Sequence, residues 1–151
     1  SMSNPGNYRV PLGFPMDRLA EIAGGIPSDT GKIILGGPMM GRTVTNLNSP
    51  TLKGVSGILM LPESMSVRRE PEPCIRCASC VSVCPMGLEP YRIAVLSARG
   101  DWESVEALGV MNCIECGCCS FSCPSARPLL DYIRLGKTTV GGIIRSRQAK
   151  K

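Results

Sequence analysis

One cysteine pattern occurs twice in this chain: Cys74, Cys77, Cys80 and Cys84-Pro85, then Cys113, Cys116, Cys119 and Cys123-Pro124. Both runs read CxxCxxCxxxCP, and together they take eight of the nine cysteines. Cysteines three apart in a tight loop can turn their sulfurs toward one centre, while a fourth thiolate must come from elsewhere. Disulfides are a poor use of this pattern. Nine is an odd count, no secretory signal is evident, and thiols crowded around Gly117 look like ligands rather than staples across long loops. A reducing compartment is therefore expected.

The spacing is that of 4Fe-4S ligation, in which the last cysteine of each run in a two-cluster protein ligates the other cluster. That rule assigns Cys74, Cys77, Cys80 and Cys123 to a first cluster, and Cys113, Cys116, Cys119 and Cys84 to a second. The prolines after Cys84 and Cys123 disfavour helical geometry at those cysteines and lack an amide proton, so they turn the chain away from its own loop. Zinc also uses CxxC pairs, but it leaves the repeated third and fourth cysteines unexplained. Cys118 is out of register and reads as a small apolar filler, with a spare ligand or a redox-sensitive thiol as the alternative.

The formal net charge of +5 suggests nucleic acid at first sight. Four thiolates around an oxidised cluster core leave about −2 per site, so two sites bring the total to about +1. The basic excess balances cofactors, and no nucleic-acid partner is expected. Histidine is absent, which removes the commonest acid/base residue and Rieske ligation. No run of about 18 apolar residues exists, so membrane attachment is expected through partners. Ser1-Met2 resembles a cloning scar, which suggests a chain excised from a longer protein.

With 151 residues, 43% hydrophobic and 4% aromatic, the chain suits one domain or two small ones with a modest core. A composition shift divides it. Residues 1–61 read as an α+β domain, residues 62–73 (PESMSVRREPEP) as a proline-rich charged linker, 74–136 as a mainly helical cluster domain and 137–151 as a basic tail. In the first part Tyr8 to Leu12, Lys32 to Leu35 and Gly57 to Leu61 read as strands, and Pro15 opens a helix that stops at Gly24-Gly25. One helix on a small mixed sheet is the economical arrangement. The segment from Gly36 to Gly41 matches neither GxGxxG nor a Walker sequence and reads as a tight turn.

The 28 residues between Cys84 and Cys113 are patterned as helices. Pro90 starts one, carrying Ile93 and Leu96 inward, and Gly100 ends it. Asp101 caps a second, with Trp102, Val105 and Leu108 on one face and Gly109 closing it. A third starts at Pro128 with Leu129, Leu130 and Ile133 apolar. This interval is longer than that of compact ferredoxins.

The phrases GNYRVPLGFPMDRLAEIAGG, KIILGGPMMG, LKGVSGILML, CIRCASCVSVCPMGLEP and CPSARPLLDYIRLGK, in that order, resemble the carboxy-terminal part of the C subunit of the Rnf electron-transport complex. The resemblance implies a soluble-ligand-binding β-grasp (SLBB) domain followed by a helical ferredoxin-type domain with two 4Fe-4S clusters. It implies a peripheral protein on the cytoplasmic face of the bacterial inner membrane. The complex it implies couples electron flow between NADH and ferredoxin to sodium or proton transport, with other Rnf subunits, including an iron-sulfur subunit, as partners. FMN and NADH binding are implied only for regions upstream of those matched. A cobalamin reductase of the propanediol-utilisation type is a sister possibility. A scaffold whose clusters are structural and whose β-grasp domain is an adaptor is a third reading. The function expected is outer-sphere relay of single electrons, with ligand roles and no catalytic residue.

Overall fold

The computed structural model describes residues 2–150. The chain divides into two compact units, one up to Arg68 and one from Arg69 onward.

In the first unit Pro15 sits in extended backbone and opens helix α1, Met16–Ile22. Strands β1 (Thr30–Leu35), β2 (Arg42–Val44) and β3 (Ile58–Pro62) form a sheet in the order β2-β1-β3. Both pairings are antiparallel, with Ile33 opposite Val44 on one side and Met60 on the other. The sheet is thus antiparallel rather than the mixed one expected, because β1 joins β2 through a tight turn instead of a crossover. Strand residues alternate between faces, so Ile33, Leu35, Val44 and Met60 meet Met16, Ala20 and Leu47 in one small core. The turn is the glycine segment. Gly36 takes a left-handed φ of 104°, the Gly41 amide donates to the Gly37 carbonyl at 2.8 Å, and a Cβ on Gly41 would lie 2.7 Å from the Leu35 carbonyl oxygen.

Two further expectations for this unit change. No strand forms over Tyr8 to Leu12: Pro11 has no amide to donate, and this segment is tied down by single bonds instead. The Thr51 hydroxyl donates to the Pro11 carbonyl at 3.2 Å, and the Gly13 amide to the Thr51 carbonyl at 2.9 Å. The start of the stretch read as a linker also continues the unit. A 3-10 turn spans Glu63–Met65, the Glu63 amide donates to the Asp29 carbonyl at 2.8 Å, and Lys32 Nζ donates to the Ser66 carbonyl at 2.8 Å.

The second unit is helical: α2 (Ser79–Ser82), α3 (Pro90–Arg99), α4 (Trp102–Ala107), a 3-10 turn at Val110–Asn112, α5 (Cys118–Phe121) and α6 (Leu129–Ala149). The punctuation follows from the sequence. Pro90 stands in the first turn of α3, where its missing amide costs nothing, and Gly100 ends it in the left-handed region at φ 76°. The Asp101 carboxylate accepts from the Ser104 amide at 3.2 Å at the start of α4. Ile93, Ala94, Val105, Val110, Leu129, Ile133 and Val140 form one core, and Cys80 and Cys119 belong to it.

The residues read as a basic tail from 137 are instead the second half of α6, which runs unbroken to Ala149. Val140 is fully buried and Ile144 packs against the same core, so the apolar stripe begun by Ile133 continues past Gly141-Gly142. Arg147 near the helix end pairs with both carboxylate oxygens of Glu106, at 2.9 and 3.0 Å.

Candidate metal centres

The two cysteine runs adopt the same backbone course. Arg76 (φ 57°) and Ala78 (φ 60°) are left-handed in the first, and Glu115 (φ 57°) and Gly117 (φ 82°) occupy the matching places in the second. Left-handed residues set between cysteines curl the loop inward, which aims successive sulfurs at a common space. Outside glycine such a conformation costs on the order of 1–3 kcal/mol, so Arg76, Ala78 and Glu115 mark strain held at a site. A four-residue helix follows each curl, α2 or α5, carrying Cys80 or Cys119 into the core.

The structure brings the eight in-register cysteines to two separate cavities. Cys74, Cys77, Cys80 and Cys123 line one of about 350 Å³, together with Ile75, Arg76, Tyr91, Arg127 and Leu129 among others. Cys84, Cys113, Cys116 and Cys119 line the second, of about 20 Å³, with Leu88, Ile93, Leu130 and Ile133 among others. Cys118 lines neither; it is half-buried beside Cys116, not a core filler.

The sulfurs differ in setting. Cys74 and Cys77 are exposed, Cys80 and Cys119 are buried, and Cys84, Cys113, Cys116 and Cys123 lie between. Burial pushes the Cys80 and Cys113 thiols up and takes Cys119 to about 11. The Ser79 hydroxyl, 3.2 Å from Cys77 Sγ, pulls that exposed thiol down. Amides also point at sulfur: Leu88 N–H donates to Cys84 Sγ and Glu115 N–H to Cys113 Sγ, each at 3.4 Å. For Cys118 the hydrogen bond with Cys116 is the chief cause of a raised thiol.

An ionic brace that the sequence did not announce fixes the second loop to α6. Lys137 Nζ donates to the Cys113 carbonyl at 2.6 Å and meets Glu115 at 3.2 Å, and Arg134 Nε meets the other Glu115 oxygen at 3.0 Å. Burial pushes the Glu115 carboxyl up, but hydrogen bonds and charge from Lys137 and Arg134 outweigh it and hold the group below its ordinary value. The only hint in sequence is that Arg134 and Lys137 lie three apart on one helix face.

Among the described residues, the metal-binding side chains lining each cavity are four thiols, the donor set a 4Fe-4S cluster takes. Among the described residues no three His, Cys, Asp or Glu side chains close around a single ion. The first cavity is the roomier of the two; the second is narrow.

A family described as "4Fe-4S dicluster domain" matches residues 66–124, which hold both runs. Over 140 residues the chain is 41% identical to the C subunit of the Na(+)-translocating ferredoxin:NAD(+) oxidoreductase complex of Acetobacterium woodii, covering 93% of this chain and 32% of that protein. It is 37% identical over 147 residues to the C subunit of the ion-translocating oxidoreductase complex of Rhodobacter capsulatus, covering 97% of this chain and 28% of that protein. A third relative is the C subunit of the proton-translocating ferredoxin:NAD(+) oxidoreductase complex of Clostridium ljungdahlii, 36% identical over 91% of this chain and 30% of that protein. The chain thus spans about a third or less of the length of these relatives.

Proposed function

We propose, from the premise that this chain is a homologue of the C subunits of ion-translocating oxidoreductase (Rnf) complexes across nearly its whole length, that it is the electron-relay part of such a protein. One observation carries the reading: each cavity is lined by three cysteines of one run and the last cysteine of the other. When bound, a 4Fe-4S cluster in each quartet supplies one-electron acceptance and donation.

The chain's own residues hold and separate the two sites. Cys80 and Cys119 are anchored in the same apolar core, so the distance between the quartets is set by packed helices rather than by mobile loops. Leu129 and Tyr91 wall part of the first site, whose Cys74 and Cys77 stay exposed, and Ile93, Leu130 and Ile133 wall the second, which limits water at its sulfurs and lowers the local dielectric there. The amides of Leu88 and Glu115 offset the negative charge gathered on thiolates. No proton or bond need change hands, in keeping with a chain that has no histidine.

The first unit, with one helix lying on a small antiparallel sheet, fits the β-grasp (SLBB) domain of this family. The partners are then the other Rnf subunits, with an iron-sulfur subunit as electron partner, and attachment at the cytoplasmic face of the inner membrane is peripheral. No helix of the described residues is long and apolar enough to cross a membrane, which accords with that placement. On this reading neither unit carries FMN or NADH chemistry.

Iron and sulfide analysis of anaerobically prepared chain tests this reading, together with low-temperature electron paramagnetic resonance (EPR) before and after reduction. About eight iron and eight acid-labile sulfide atoms per chain, reduced and reoxidised reversibly, are expected. Stoichiometric zinc without sulfide overturns the reading, and clusters that cannot be reduced reversibly leave the scaffold.

A further inference from the structure

The two quartets sit in unlike surroundings. Cys74 and Cys77 of the first are exposed, and its cavity is the larger and is lined by Arg76 and Arg127, with no acidic side chain among the described residues lining it. The second is lined by apolar side chains and glycine besides its cysteines, with no charged residue among the described ones lining it. Lys137 stands near the second site, but it and Arg134 are engaged by Glu115.

Reduction adds one electron and so one negative charge; no bond forms or breaks. A nearby cation and access to water favour that added charge, and an apolar, low-dielectric wall opposes it. Hydrogen bonds to sulfur do not reverse the difference. They occur in both quartets, from Ser79 in the first and from the Leu88 and Glu115 amides in the second.

We propose that the two sites are unequal in potential, that the Cys74, Cys77, Cys80 and Cys123 site is the higher one where a transferred electron rests, and that Arg76 and Arg127 set the difference. The inference rests on the reading above that each quartet holds a 4Fe-4S cluster. It makes the open site the resting place of the electron and the enclosed site the intermediate stage. Arg76 and Arg127 are positioning residues, acting on the cluster through charge rather than through ligation.

The test is a stepwise anaerobic potentiometric titration of the cluster-loaded full chain with dithionite, followed by EPR. Two separate one-electron steps are expected. Arg76→Gln and Arg127→Gln should each move the higher step downward and leave the lower in place, and the double variant should move it further. Arg76→Lys and Arg127→Lys, which keep the charge, should leave the higher step close to its value in the unaltered chain. Lys137→Gln should move only the lower step. Coincident steps in the unaltered chain, or arginine variants that move the lower step or neither, overturn the inference while leaving the relay intact. Absence of any reducible cluster overturns the relay reading and this inference with it.

Discussion

Gly136 of α6 lies so close to Ser97 of α3 that a Cβ there would run into the Ser97 hydroxyl. Val105 of α4 closes the same spot, 3.1 Å from that position. The missing side chain is what lets α6 press onto the helices that carry the cluster loops.

Gly136→Ala should therefore destabilise the helical unit by about 1–3 kcal/mol, the usual cost of overpacking. Ser97 Oγ is buried without a hydrogen-bond partner among the described atoms, so Ser97→Ala should be neutral or stabilising. The double variant should recover much of what Gly136→Ala loses. Urea denaturation of the loaded chain and its three variants measures the coupling; strictly additive effects would mean that the two residues do not meet.

Cys118→Ala should keep its full iron and sulfide content, because Cys118 lines neither cavity. Loss of about half of both would make Cys118 a ligand in place of Cys116 or Cys119.

The buried thiols give the metal-free chain a pH dependence whose sign can be worked out. Burial takes Cys119 from 9.0 in an open environment to about 11. Below pH 9 the thiol is protonated whether the chain is folded or not. Between 9 and about 11 only the unfolded chain releases the proton, so stability falls as pH rises through that window. Cys80 and Cys113, also raised, add to the fall. Urea midpoints of metal-free protein from pH 7 to 11 should decline above about pH 9, and the decline should be shallower in Cys119→Ala. Equal slopes would show that Cys119 titrates alike in both states.

What could be read in the sequence was what depends on neighbours along the chain. The cysteine spacing, the proline and glycine limits of α3 and the Asp101 cap are local signals, and the backbone obeys them. The features missed depend on the folded core. Glycines inside a helix cost about 1 kcal/mol each relative to alanine, so nothing local in Gly141-Gly142 and the arginines beyond it signals a continuing helix. Burial of Val140 and contact of Ile144 with the core carry α6 through it. The Glu115 brace likewise joins residues that only the turn of α6 onto the second loop brings together. In the first unit, Tyr8 to Leu12 has a strand's composition but a proline where a ladder needs a donor.

The central claim is that each run lends its last cysteine to the other's cluster, and iron and sulfide content of two double variants tests it most directly. Cys84→Ala/Cys116→Ala removes two ligands from one site if ligation is crossed, so it should retain one cluster, about four iron and four sulfide atoms. Cys84→Ala/Cys77→Ala then strikes both sites and should retain little of either. The opposite pattern, one cluster surviving in Cys84→Ala/Cys77→Ala and none in Cys84→Ala/Cys116→Ala, would mean that each run ligates its own cluster, and would contradict the account.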